Sequence, residues 1–188
     1  MDTRHIIINA LLFQLVWFSC VFLKLEWAAI FLLVMLLHSI KYLMDKLNLI
    51  VVVASLVLGL TMDSMLSVYS FYSFSEPAWQ LLLGFGPSSG AYIPLWLIMI
   101  WLGFSLALPH AMGWLLNMKG LFVATMTGLA PMSYMVGRQL NVIEFSNADL
   151  PIIAAAWCIW SCLILLVKHY ASSRTAELES LEGVEHVK

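Results

Sequence analysis

Long apolar stretches separated by short polar breaks set the pattern of this chain. Apolar runs fall at residues 6–23, 27–42, 47–69, 93–116, 118–137 and 150–167, divided by breaks such as Lys24-Leu25-Glu26 and Asp45-Lys46. A helix needs about 20 mainly apolar residues to cross a hydrocarbon layer about 30 Å thick, so each run has close to the length of one crossing. Residues 49–60, LIVVVASLVLGL, and 157–167, WCIWSCLILLV, show no period of two, which argues against the strands of a membrane barrel. Helices then remain as the spanning structure, because each satisfies its own backbone. The pattern predicts an all-α integral membrane bundle of six transmembrane helices across residues 1–170, followed by an acidic tail at 171–188. The first run follows Arg4 as a signal peptide would, but lacks a small-residue cleavage pattern and reads as a retained span.

The third loop, residues 70–92, is too long for a turn and too apolar for a free linker. Ser75 is placed to cap a helix with Glu76 and Pro77 in its first turn, and Trp79, Leu82, Leu83 and Phe85 would lie on the membrane surface. A short interfacial or re-entrant helix is expected there. In the loop between Arg138 and Asp149, Asp149 looks like the cap of the last span, with Pro151 in its first turn. Pro109 and Pro131 should kink the fourth and fifth spans.

Composition agrees: 62% of the 188 residues are hydrophobic and 11% charged, far from the balance of a soluble domain. With nine Lys and Arg and a net charge of −2, there is no basic excess for nucleic acid. The basic residues decide orientation instead. With the N-terminus inside, Arg4, Lys41, Lys46, Lys119, Lys168, Arg174 and Lys188 fall on the inner side, and only Lys24 and Arg138 on the outer. Basic flanks stay in the cytoplasm, so both termini are expected there. Cys20, Cys158 and Cys162 all fall in spans and read as packing residues, with no metal or redox spacing. Trp17 and Phe18 stand before Cys20 where lipid attachment would need small residues.

Candidate chemistry begins at residues 59–66, GLTMDSML, where an acid interrupts hydrocarbon. A charged Asp at mid-membrane costs about 2.5 to 3.5 kcal/mol on insertion scales, less toward the interface, so Asp63 should be partnered, hydrated or protonated. In the antiparallel fifth span, Tyr134 and Arg138 are four residues apart and share a helix face. An Asp63–Arg138 pair with Tyr134 adding its hydroxyl is the expected geometry, a clasp or the floor of a polar cleft. Gln14 and Trp17 of the first span complete the candidate ligand-binding set. A second polar group, Asn9, His38, His110 and Asn117, gathers in the inner half; its histidines read either as packing residues or as an acid and base, and form no metal site. Gly120, Ala124 and Gly128 recur every fourth position, a spacing that allows close helix approach and marks the fifth span as the most deeply buried. Trp27, Trp79 and Trp114 fit interfacial belts, whereas Trp17, Trp101 and Trp160 should pack a core or line a pocket.

Four segments carry a resemblance: residues 9–22 (NALLFQLVWFSCVF), Asp63-Ser64, residues 94–108 (PLWLIMIWLGFSLAL) and residues 130–145 (APMSYMVGRQLNVIEF). Together they resemble a family of small polytopic inner-membrane proteins of proteobacteria known only as a domain of unknown function. Pro131, Ser133, Tyr134 and Gly137 form its most specific piece. This chain has Ala130 before Pro131 where Gly is expected, and Asn141 where the family looks richer in Gly. The resemblance implies no reaction; members look to be encoded near enzymes that modify membrane fatty acids, which points toward lipid. Three readings follow. The first is an accessory protein of membrane lipid or envelope maintenance that binds a lipid or a membrane-protein partner, without cofactor. The second is an intramembrane lipid-modifying enzyme using Asp63 or His110. The third is a small-solute or proton-coupled transporter with Asp63 as its protonatable group, which the lack of an internal repeat weakens.

Overall fold

The computed structural model describes residues 3–23, 25–74 and 93–185. Within them the chain forms helices α1 (Thr3–Phe22), α2 (Leu25–Tyr42), α3 (Lys46–Val68), α4 (Leu95–Ala107), α5 (Gly113–Asn117), α6 (Lys119–Gln139) and α7 (Leu150–Glu185), with two short strands, β1 (Ser73–Phe74) and β2 (Ile143–Glu144). The fold is all-helical apart from that strand pair. Five of the helices, α1, α2, α3, α6 and the 150–175 part of α7, are long and apolar enough to cross a membrane. Large apolar side chains such as Leu11, Phe18, Leu33, Val57, Leu129 and Ile159 are exposed around them. Helices that are apolar all round have no face suited to water.

Polar residues punctuate the apolar runs. Asp45 caps α3 by accepting the Asn48 N–H at 2.7 Å, and the Asn48 amide reaches back to the Leu43 carbonyl at 3.1 Å. Asp149 stands before α7 as expected, its carbonyl taking the Ile152 and Ile153 N–H groups, but its carboxylate turns back to the Ser146 N–H at 2.9 Å. The fourth apolar run departs from expectation. α4 spans 13 residues, about 20 Å, and the chain turns through Leu108 to Met112 before α5 begins. Pro109 is the cause: it has no N–H to bond the Ser105 carbonyl, and the result is a break rather than a kink. Pro131, by contrast, lies inside a continuous α6. At the other end of the chain, residues 171–185 extend α7 instead of forming a separate tail, as their content of Ala, Glu, Leu and Arg favours. The interfacial helix expected in the third loop, with Trp79, lies outside the described residues.

α4 is the hub. It packs against α1, α2 and α3; α1 also packs on α2, and α7 joins α3 to α6. The fifth span is therefore not the most buried. A methyl group added at Gly120 or Gly128 would touch nothing within 4 Å, and these residues with Ala124 are exposed. A small residue that does bring helices together is Gly59 of α3, where any side chain would overlap the Trp101 ring of α4. Trp101 and Trp160 lie in the core as expected, joined by Trp157, while Trp27 and Trp114 are exposed.

The strands tie two loops together. Ser73 pairs with Glu144 and Phe74 with Ile143, antiparallel, so the C-terminal ends of α3 and α6 meet at one end of the bundle. Asn141, φ 56°, makes the left-handed turn between α6 and β2, a conformation Asn accepts better than other non-glycine residues. At the opposite end the Lys168 ammonium donates to the Asn117 side chain at 2.5 Å.

Candidate functional site: a buried acid beside an apolar groove

Asp63 is fully buried, one turn beyond Gly59 on α3. Because Gly59 has no side chain, the Trp101 indole can lie against α3, and its N–H donates to Asp63 Oδ2 at 2.6 Å. From α6 the Tyr134 hydroxyl donates to Oδ1 at 2.7 Å. Tyr72, held after the left-handed turn at Ser70 (φ 60°), donates to the Asp63 backbone carbonyl at 3.1 Å, and burial raises its phenol above the ordinary range, keeping it a donor. Both carboxylate oxygens are thus satisfied by neutral groups from two other helices.

Arg138 is not among these partners. Its guanidinium donates to the Asn147 side chain at 2.8 Å and the Phe145 carbonyl at 3.4 Å, and lies 4.6 Å from the centre of the Phe145 ring. The expected Asp63–Arg138 pair is replaced by the Trp101–Asp63–Tyr134 bridge. The reason is geometric: Tyr134 occupies the buried face of α6, whereas Arg138, a turn further on, reaches the loop that carries β2. Sequence reasoning placed Trp101 in the core or a pocket wall without assigning it to the acid. The signal was the small residue four positions before Asp63, which leaves room for a large partner.

The bridge forms one wall of a groove of about 450 Å³ between α1 and α6, with α4 as its floor. Phe13, Trp17, Trp101, Phe104, Leu129 and Trp157 make it apolar, and Gln14, Thr125, Ser133 and Tyr134 are its polar lining. Gln14, Trp17 and Tyr134 therefore share this groove, while Asp63 lies behind Trp101 and Tyr134 and neither Asp63 nor Arg138 lines it. The Trp101 and Trp157 rings stack at 5.3 Å and 14°, and the Ser133 hydroxyl donates to the Ala130 carbonyl at 2.6 Å.

The inner polar group forms a separate cluster. The Asn9 amide donates to Ser39 Oγ at 3.2 Å and the Leu106 carbonyl at 3.5 Å, and His5 Nδ1 lies 3.2 Å from His38 Nε2. His110 sits in the break after α4, buried, with both ring nitrogens unpartnered among the described residues. Asn117 is apart from them, bonded to Lys168. No three His, Cys, Asp or Glu among the described residues are placed to hold a metal ion.

Fold and site together define an apolar helical bundle, with helices able to cross a membrane, a buried acid held by neutral donors and a lateral apolar groove. Residues 6–166 match the family model described as a protein of unknown function (DUF2878), and the chain belongs to that family. No curated protein and no solved structure matches it.

Proposed function

We propose that this chain is a multi-pass protein of the bacterial inner membrane that holds the acyl chain of a membrane lipid in the groove between α1 and α6, as an accessory protein of lipid or envelope maintenance. The groove itself carries this reading. Its volume lies in the range of about 300–1,000 Å³ usual for small-ligand sites, and its lining is mainly apolar with a few polar groups, as such sites are. It runs along the helices from Thr125 to Gly137 on α6, about 18 Å, the direction an acyl chain takes in a bilayer.

Six crossings fit this arrangement. The paired strands hold the C-terminal ends of α3 and α6 at one end, and α6, 21 residues long, starts about 31 Å away. In this reading the α4–α5 segment carries the chain back across as a broken sixth span, and both termini lie on the basic, cytoplasmic side. Asp63, enclosed and doubly bonded, serves as the clasp that fixes the groove wall rather than as an acid, base or proton carrier. The Tyr134 hydroxyl in the groove is already committed to it. Binding is thus favoured over turnover.

The test is native mass spectrometry with lipid extraction on protein purified in mild detergent. Ser133→Trp, an exposed groove position, should leave one bound lipid fewer than wild type with helicity unchanged, while Arg138→Gln keeps it. A filled groove that still retains every lipid would overturn the reading.

A further inference from the structure

Two polar side chains of the α1–α6 groove are not engaged by the protein. Gln14 lies on the α1 wall and Thr125 on the α6 wall. Neither side chain makes a hydrogen bond among the described residues, whereas Ser64, Ser133 and Ser161 turn their hydroxyls back to carbonyls of their own helices. Tyr134, the remaining polar residue of the lining, is bonded to Asp63.

Gln14 and Thr125 belong to the same end of the groove. The Phe13 ring of α1 lies 6.0 Å from Phe104 of α4, Phe104 lies 5.7 Å from Trp160 of α7, and Trp160 lies 6.2 Å from Phe122 of α6. This row of rings sets one level across four helices, and Gln14 and Thr125 follow it closely in sequence. The other end of the groove is bordered by Val21, Val142 and Ile143, beside the paired strands. Along α1, Gln14 stands about 16 Å from Thr3 and about 12 Å from Phe22, so in a spanning helix it lies near mid-membrane. An amide and a hydroxyl in hydrocarbon are costly unless they are hydrogen-bonded. The occupant of the groove is in a position to supply that bond.

We propose that Gln14 and Thr125 select an acyl chain carrying a hydroxyl group part-way along its length over a plain hydrocarbon chain, an inference that rests on the groove being the lipid site. A hydroxyl both donates and accepts, as do the amide of Gln14 and the hydroxyl of Thr125. A plain chain leaves both side chains unsatisfied. The position of the hydroxyl matters, because Gln14 lies about 10 Å along α1 from Val21. With the headgroup at the strand end, the middle of the chain meets Gln14, and a hydroxyl next to the headgroup does not.

The experiment uses protein delipidated in mild detergent and titrated in native mass spectrometry with phosphatidylcholines bearing stearoyl, 12-hydroxystearoyl or 2-hydroxystearoyl chains. Wild type should bind the 12-hydroxy lipid about tenfold more tightly than the other two, the scale of one or two net hydrogen bonds. Gln14→Leu with Thr125→Val should remove that preference and bind the stearoyl lipid at least as well as wild type, which also shows that the variant is folded. Thr125→Ser, which keeps the hydroxyl, should keep the preference. Equal binding of the 12-hydroxy and stearoyl lipids by wild type would overturn this selectivity and leave the lipid groove standing, whereas binding of none of the three would overturn both. A preference that survives the double change, or one shared by the 2-hydroxy lipid, would also sink the proposal. So would dimers in the same spectra that separate on Gln14→Leu, because the amide would then be bonded to a second copy.

Discussion

Asp63 and His110 are both buried in apolar surroundings, and the bundle treats them in opposite ways. Asp63 receives two side-chain hydrogen bonds, from Trp101 at 2.6 Å and Tyr134 at 2.7 Å, and a third group, Tyr72, secures its backbone carbonyl. His110 has neither ring nitrogen bonded among the described residues, and Asn9 Oδ1 and His38 Nδ1 near the same end are buried without a partner as well. A fully connected polar network specifies one packing of the helices around it, whereas a partly connected one costs stability without fixing geometry. The comparison teaches that the Tyr72 end of the molecule is locked across α3, α4 and α6, and that the end near Asn9 is held mainly by apolar contact.

Trp101→Ala should break that contrast most severely. It removes a large, almost fully buried ring that packs on Trp157, Trp160 and Phe104 and takes away one of the two side-chain donors to Asp63. Loss of a buried aromatic costs about 3–5 kcal/mol, and the unsatisfied carboxylate oxygen adds to it. Denaturant unfolding in mild detergent should show a fall of at least that size; a fall below about 1 kcal/mol would mean that Asp63 is not held by this bridge.

Gly59→Ala follows in size. The added methyl would overlap the Trp101 ring, so either the indole leaves its place or α3 and α4 separate, at about 1–3 kcal/mol for overpacking. Trp101→Phe in the same chain makes room for that methyl. The double variant should therefore be less destabilised than the two single changes added together, because the residues touch. Strict additivity in the same unfolding assay would refute the claim that Gly59 exists to seat Trp101.

The apolar runs made the helices legible, since length and hydropathy alone determine where a crossing helix can lie. Asp63 was equally legible as an anomaly, and Tyr134 as one of its partners, because four-residue spacing on α6 exposes a face. The partner the spacing did not separate from Tyr134 was Arg138. Opposite charge favoured Arg138, but the acid is enclosed by Trp101 and Tyr134, while the cation has loop acceptors within reach at Phe145 and Asn147. Long-range pairing was hidden for the same reason: the two-residue ladder of β1 and β2 leaves no alternating pattern, although it fixes where α3 and α6 end. The Gly120, Ala124 and Gly128 stripe misled because small residues permit close approach without requiring it, and here they face outward.

His110→Leu is the smallest expected effect and the sharpest test of the contrast, because it replaces a buried polar ring by a hydrocarbon of similar size. At a site where hydrogen bonds are made, such a change leaves partners stranded and costs about 1–3 kcal/mol. At His110 no side-chain partner is stranded, and the desolvation of two ring nitrogens is relieved instead. Stability in the denaturant assay should be unchanged or slightly raised. The break after α4 should persist, because Pro109 rather than the imidazole makes it. A loss comparable to that from Trp101→Ala would show that the Asn9 end is as tightly networked as the Asp63 end, and the difference between them would vanish.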